Sequence, residues 1–294
     1  MFLKYPKIKY LGDDENKELL ENPEDEIIME EKVDGANTRF MIKNGRIIFG
    51  SRNVEIKTGN EGNFAPLVQY LTKKLKGKRI RDGLIVYGEY MTRHSIDYDW
   101  DRTPIFLGFD VYDLEVNKFL DYDEKVKVFN SLDLPIVPLI KKVKAYELKN
   151  FSENDVPKSN YYDGKAEGVV FKNYDKQVFA KFVTQKFKEV NKEAFGFTKK
   201  GSSSDEERFI AVYCTNARID KMIFKLLNEG RTLGMELMKF LPQSVYEDIW
   251  EENWREISRT NWSLNFRVIK KLVCKRCVNV LKQIIIINAR KEVK

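Results

Sequence analysis

One histidine and three cysteines in 294 residues exclude several kinds of chemistry at the outset. An odd number of cysteines cannot make a disulfide framework and suits a reducing compartment. Cys274 and Cys277 have the spacing of half a zinc site. Zinc takes four ligands, however, and the chain adds only Cys214 and His94, neither at finger spacing, so the pair is expected simply to lie on a helix. Long apolar runs are also missing: the longest purely aliphatic one, Ile284 to Ile287, is far too short to span a bilayer. With no basic leader and cleavage site at the start, a soluble protein resident in the cytoplasm is expected. There is no internal repeat and no long low-complexity tract.

An apolar fraction of 43% is enough for a proper core, and the length suits two domains. The stretch Lys199-Lys200-Gly201-Ser202-Ser203-Ser204-Asp205 is small and polar, with little to bury, and predicts a boundary between domains at 1–199 and 200–294. Short β-rich runs precede it. Arg39–Ile42 and Arg46–Phe49 flank Lys43-Asn44-Gly45 and predict a hairpin with an Asn-Gly turn. Glu26–Glu30, Ile105–Val111, Gly168–Lys172 and Val178–Val183 read as further strands, and Ala65–Leu75 as a helix among them. Past the boundary the period becomes helical: Ile219, Met222, Ile223, Leu226 and Leu227 recur at i, i+3, i+4, i+7 and i+8. Pro242 breaks that run, and Ser244 with Glu247 is expected to form a capping box for the next helix. The pattern predicts an α+β domain built on antiparallel sheet, followed by an all-helical one.

Within the first domain, Glu31-Lys32-Val33-Asp34-Gly35, followed by Ala36 and Asn37, sets one lysine at the end of a strand and just before a glycine bend. A lysine so placed can act as a covalent nucleophile. Further segments follow in order: Gly50-Ser51-Arg52, Val86-Tyr87-Gly88-Glu89-Tyr90-Met91, Phe106-Leu107-Gly108-Phe109-Asp110-Val111-Tyr112, Ala166-Glu167-Gly168-Val169-Val170-Phe171-Lys172, and Phe179-Ala180-Lys181-Phe182-Val183. Each is weak alone, but their order resembles motifs I, Ia, III, IIIa, IV and V of the covalent nucleotidyltransferases, the superfamily of ATP-dependent ligases and mRNA capping enzymes. The closest resemblance is to RNA ligases of the RNA ligase 2 type. It covers about Tyr5 to Gly196, and Val212–Ile219 with the helical run beyond it resembles the small helical C-terminal domain of the same family.

That resemblance implies an ATP-dependent RNA ligase using Mg²⁺ or Mn²⁺. The amine of Lys32 would attack the α-phosphorus of ATP to give lysyl-AMP. AMP would then pass to an RNA 5′-phosphate, and a 3′-hydroxyl would displace it. By the same resemblance Glu31, Lys32 and Val33 would meet the adenine, with the Glu31 carbonyl a candidate acceptor for the exocyclic amine. Arg52 would hold phosphate and ribose, Glu89 the ribose hydroxyls, and Phe109 would stack on the purine. Glu167 would organise the catalytic metal, directly or through water, and Lys172 and Lys181 would neutralise the triphosphate. Asn37 would reach a phosphate or the RNA end. A lysine is mostly protonated at neutral pH, so desolvation and the cations Lys172, Lys181 and Mg²⁺ are expected to favour the neutral amine of Lys32.

Two positions depart from the family pattern. Motif V usually carries Lys-x-Lys, whereas here Phe179 or Val183, depending on register, stands in one lysine place. Either Lys181 works alone, or Lys172 or Lys176 compensates. Asp34 stands where close relatives of the phage enzyme have histidine; aspartate there is the choice of DNA ligases and capping enzymes. A DNA or mixed-duplex ligase, or a capping-type enzyme, is therefore the alternative, although those relatives follow motif V with a β-rich domain and the residues after Phe187 here read as helices.

Charge is concentrated at one end. From Trp262 to Lys294 nine Lys and Arg residues face a single acid, Glu292, against a whole-chain net of +7. On one helix Arg267, Lys270, Lys271, Lys275 and Lys282 would share a stripe, with Ile269, Leu272, Val273, Val280 and Ile284 turned away from it. Such a stripe fits RNA phosphates, either of RNA ends or of a nicked duplex.

Overall fold

The computed structural model describes residues 2–92, 96, 98–184 and 204–292, with side chains as far as residue 286 and at residue 288. Two compact units emerge, Met1–Gln185 and Lys186–Lys294. The boundary expected at 199/200, like His94, lies outside the described residues.

Among the described residues of the first unit, eleven strands form two sheets: β1 (Lys9–Tyr10), β2 (Glu26–Lys32), β3 (Ala36–Lys43), β4 (Arg46–Ser51), β5 (Glu55–Ile56), β6 (Leu84–Tyr90), β7 (Phe106–Asp113), β8 (Lys118–Phe119), β9 (Leu139–Lys144), β10 (Gly168–Asn173) and β11 (Val178–Val183). One sheet runs β1-β11-β10-β2-β9, the other β5-β4-β3-β6-β7-β8, and every pairing except β1 with β11 is antiparallel. Helices α1 (Ala65–Lys74) and α2 (Tyr122–Leu132) complete the α+β unit. The expected hairpin forms: Lys43 pairs with Arg46, and Asn44 and Gly45 take φ of 51° and 73°, the positive values that a two-residue turn of this kind demands.

Strand β2 passes between two cores, which is why it reads as an apolar run rather than an alternating one. Ile27 and Met29 pack with Val143, Val169, Phe171 and Ala180 on one face. Ile28 packs with Tyr5, Ile85, Tyr87, Tyr174 and Phe179 on the other. Side chains alternate along a strand, so Glu30 and Lys32 share the Ile28 face. The register sets Lys32 opposite Gly168, Glu30 opposite Val170 and Ile28 opposite Lys172. Beyond Lys32 the chain crosses into the second sheet through Asp34 and Gly35. A Cβ on Gly35 would lie 2.5 Å from the Tyr90 carbonyl oxygen, so glycine is required there by the close approach of β6.

The second unit is helical: α3 (Asp205–Tyr213), α4 (Asn216–Asn228), α5 (Leu241–Ser258) and α6 (Phe266–Glu292). Ser204 and Glu207 cap α3 reciprocally, and the Thr215 hydroxyl accepts from the Arg218 amide to start α4. Phe209, Ile219, Met222, Ile223, Val245, Ile249, Ile269 and Val273 make its core. The expected capping box at Ser244 and Glu247 does not form. Pro242 stands in the first turn of α5, where its missing N–H costs nothing, and the Ser244 amide already donates to the Phe240 carbonyl at 3.0 Å inside the helix. Cys274 and Cys277 both lie on α6; Cys277 is buried in the core with Cys214, and Cys274 is exposed.

Candidate active site

Lys32 ends β2 with its ammonium 2.6 Å from a carboxylate oxygen of Glu167, the residue just before β10. Antiparallel pairing of β2 with β10 brings the two together from 135 residues apart. The Glu167 main chain is itself pinned, since its carbonyl accepts from the Thr184 amide at 2.9 Å. Burial pulls the Lys32 pKa down, but the charge and hydrogen bond of Glu167 outweigh it, and the net shift is upward. The expected depression of that pKa is thus not found. Glu167 is raised as well, by burial first and by Asp34, against the opposing pull of Lys32 and Lys181.

Glu89 approaches the pair from β6 in the second sheet. Burial pushes its pKa up to about 8, with Asp34 and Glu167 adding to the shift and Lys32 and Arg52 opposing it. Asn37 is its register partner on β3, so the two side chains point the same way, and the buried Asn37 Oδ1 has no hydrogen-bond partner. An orphaned acceptor beside a carboxyl held largely neutral suits a ligand bearing donors, such as hydroxyls.

Glu89 gives a direct test by pH. Its pKa in the folded chain lies near 8 against an ordinary 4.5, so the folded state keeps a proton that the unfolded state releases between those values. Stability contributed by this group is present below pH 4.5 and declines as pH rises to about 8. Glu89→Gln removes that decline, and its melting temperature relative to the parent is expected to rise from pH 5 to pH 8.5. An equal difference at both pH values would show that Glu89 titrates normally.

Arg52 is exposed at the end of β4, and its carbonyl accepts from the Arg39 guanidinium at 2.8 Å. Arg39, buried on β3, also donates to the Ser51 carbonyl and lies 4.5 Å from the Phe2 ring centroid. Nothing in the sequence singles Arg39 out, because a buried arginine in a strand looks like any solvated one. Glu31 points away from Lys32, and its carboxylate accepts from the Ser159 hydroxyl at 2.6 Å and from the amide and side chain of Asn160 at 3.1 and 2.8 Å. The Asp34 amide donates to the Tyr98 hydroxyl at 2.7 Å. These loop partners fasten β2 on both sides of Lys32, and Val33 between them is buried.

Lys181 on β11 pairs with Val170 of β10, so it shares the face of Lys32, and it lies 4.5 Å over the Tyr10 ring. Phe179 and Val183 stand on the same face two residues to either side. Phe179 is buried against Tyr174 and Phe119, which accounts for an aromatic residue in a lysine place. Lys176 is engaged elsewhere, 2.9 Å from Asp25.

Lys172 does not join Lys32. Four positions further along β10, it is fully buried, 2.6 Å from Glu30, 2.8 Å from Asp110 and 2.8 Å from the Phe109 carbonyl. Those ion pairs hold its pKa up in spite of burial. Phe109 is half-buried, with the Tyr5 ring edge-on at 4.8 Å. The Phe109 ring is thus backed by Tyr5, whereas Lys172 is committed to carboxylates of the protein.

In the helical unit Arg267, Lys270, Lys271, Lys275 and Lys282 are all exposed along α6. Ile269, Val273 and Val280 are buried, and Leu272 and Ile284 are half-buried. Among the described residues no group of His, Cys, Asp and Glu is arranged to hold a metal by protein ligands alone, and no helix is long and apolar enough to cross a membrane.

Two mostly antiparallel sheets with a strand-end lysine beside a glutamate fit the covalent nucleotidyltransferase superfamily, and comparison with known proteins gives the family. The family model for RNA ligase matches residues 25–188, more than half of the chain, which belongs to that family. A similar protein is the Early 65 kDa protein of Autographa californica nuclear polyhedrosis virus, 30% identical over 174 residues, 58% of this chain and 29% of that protein. The fold is similar to Naegleria gruberi RNA ligase with PPi, with TM-score 0.52 and 18% identity, over 65% of this chain and 59% of that one. A variant of the same ligase with ATP and Mn gives 0.50 and 19%, over 63% and 57%. The chain thus spans less than two thirds of the length of either relative.

Proposed function

We propose that this protein is an ATP-dependent RNA ligase that joins 3′-hydroxyl and 5′-phosphate ends through AMP carried on Lys32. The carrying observation is the Lys32–Glu167 pair at 2.6 Å, facing Glu89 and the orphaned Asn37 oxygen. Once its proton has left, the Lys32 amine attacks the α-phosphorus; the P–N bond forms as the bond to pyrophosphate breaks. AMP then passes to the RNA 5′-phosphate, and the 3′-hydroxyl displaces it.

Glu89 and Asn37 receive the ribose and its neighbouring phosphate, Arg52 offers its planar fork to phosphate, and Phe109 lies against the purine. The Glu31 and Val33 main chain, fixed by Ser159, Asn160 and Tyr98, borders the base. Lys181 adds positive charge on the Lys32 face, where negative charge develops during attack.

The half-buried carboxylate of Glu167 fits a divalent cation, Mg²⁺ or Mn²⁺, which takes one or two carboxylates and keeps several waters. When bound there it supplies positive charge that favours the neutral form of Lys32 and the charged form of Glu167. The Naegleria ligase variant with ATP and Mn supports that choice of cofactors. Unpaired Cys214, Cys274 and Cys277 support residence in the cytoplasm.

Asp34 favours a second reading, a DNA or mixed-duplex ligase. The all-helical unit and the family match support RNA. Joining of matched RNA and DNA strands, nicked and single-stranded, separates the two: an RNA strand supplying the 3′-hydroxyl is expected to be sealed much faster, because 2′-hydroxyls and A-form shape are what such sites read. Equal rates on an all-DNA nick would establish the second reading.

A further inference from the structure

Lys125 is a lysine with no exposed surface at all, a costly thing to bury unless the protein uses it. It rises from the first turn of α2, whose start is fixed by a reciprocal cap between Asp121 and Glu124. Its ammonium lies 2.5 Å from Glu30, 2.8 Å from the Phe109 carbonyl oxygen and 3.9 Å from Asp110. Lys172 makes the same three contacts from the opposite side. Tyr5 and Tyr174 donate to the two oxygens of Asp110 at 2.6 and 2.7 Å, and Tyr122 lies 5.0 Å under the Lys125 ammonium. Two ammonium groups and two carboxylates therefore close a balanced buried network.

Glu30 is two residues before Lys32 on the same face of the same strand, and Phe109 carries the ring proposed to lie under the purine. The network therefore couples the nucleophile's strand in one sheet to the stacking ring in the other. Lys125 is the charged member of this network that a helix contributes. Its removal would leave Glu30 and Asp110 with a single counter-charge and the Phe109 carbonyl with one donor in place of two.

We infer that Lys125 is a positioning residue for the nucleotide step, holding Phe109 and the Glu30–Lys32 strand end in register so that ATP meets a preset ring and amine. The inference rests on the ligase reading above. It extends that reading to a residue that touches neither ATP nor RNA. A misplacement of the ring weakens nucleotide capture more than it slows the bond-forming step once ATP is bound, so the effect falls on KM.

The test is single-turnover adenylylation of the full-length protein over a range of ATP and Mg²⁺ concentrations, with thermal melting of each variant. Lys125→Met is expected to raise KM for ATP on the order of tenfold while changing the limiting rate much less, measured well below its melting temperature. Lys125→Arg, which keeps charge and donors, should recover part of that loss. Removing one partner of a buried ion pair also costs stability. Two further variants separate that cost from positioning. Leu148→Ala, in the core on the far face of β2, should lower the melting temperature and leave KM for ATP at the parent value. Lys125→Met combined with Glu30→Gln should regain melting temperature, because the charges balance again, and still show the raised KM. A parent KM in folded Lys125→Met, or a KM that returns with melting temperature in the double variant, would overturn the inference. A parent protein that takes up no AMP would instead overturn the ligase reading itself.

Discussion

Lys32→Ala protein incubated with ATP and Mg²⁺ is expected to acquire no covalent AMP, while the parent acquires an adduct that is labile in acid and stable in alkali. Protonation of a phosphoramidate nitrogen makes it a leaving group, so the stability profile reports the P–N bond directly. Loss of a covalent nucleophile should cost on the order of 10⁴-fold or more in rate. The geometry sharpens the expectation, because the Glu167 carboxylate beside Lys32 favours its ammonium form. Adduct formation should therefore be strongly pH-dependent in the parent, rising toward alkaline pH as the amine loses its proton. Lys181→Ala should also block labelling, since Lys181 shares the face of Lys32. Lys176→Ala should not, because Lys176 is occupied with Asp25 at the turn end of the β10–β11 hairpin. Mapping of the adduct to another residue, or undiminished labelling of Lys32→Ala, would remove the assignment of the nucleophile.

The second large effect is expected on RNA binding. Lys271→Glu combined with Lys275→Glu reverses two exposed charges on α6 without touching its buried face, which Ile269, Val273, Cys277 and Val280 occupy. If the stripe meets phosphates, affinity for nicked RNA at fixed salt should fall about ten- to hundredfold, and the slope of log affinity against log salt should become shallower by about two. Adenylylation of Lys32 should continue at the parent rate, because that step needs no RNA. The same affinity and the same salt slope as the parent would show that the stripe is an ordinary solvated face. This separates the two halves of the proposed reaction, activation by one unit and capture of the RNA ends by the other.

Much of this was legible from residue order alone. The Asn44-Gly45 turn, the strand ending at Lys32 and the helical period of Ile219 to Leu226 are local signals, carried by backbone preference and side-chain spacing, and each forms where it is expected. The exposed stripe of α6 is likewise a matter of helical periodicity. The order of the motifs around Lys32, Arg52, Glu89, Phe109, Glu167 and Lys181 was enough to indicate a nucleotidyltransferase, because motifs that are weak singly become specific as an ordered series. The capping box at Ser244 failed for a local reason too: a proline is equally at home before a helix and within its first turn, and sequence alone does not say which.

Tertiary structure decided what each charge is for. Glu30 and Glu31 are neighbours in sequence, yet alternation along β2 sends one to two buried lysines and the other to Ser159 and Asn160. Lys172 and Lys181 look interchangeable as phosphate ligands, yet the register of β10 and the approach of β7 enclose Lys172 with Asp110 while Lys181 keeps the face of Lys32. Lys125, Arg39 and Tyr98 carry no signal in the chain at all, because their importance comes from atoms 12 to 95 residues away along the sequence. Whether a charged side chain is solvated, paired or held out of water depends on which strands lie beside it. Pairing partners are set by the packing of two sheets rather than by any window of sequence, so the chain's motifs determined the family and only the assembled sheets determined the division of labour among its charges.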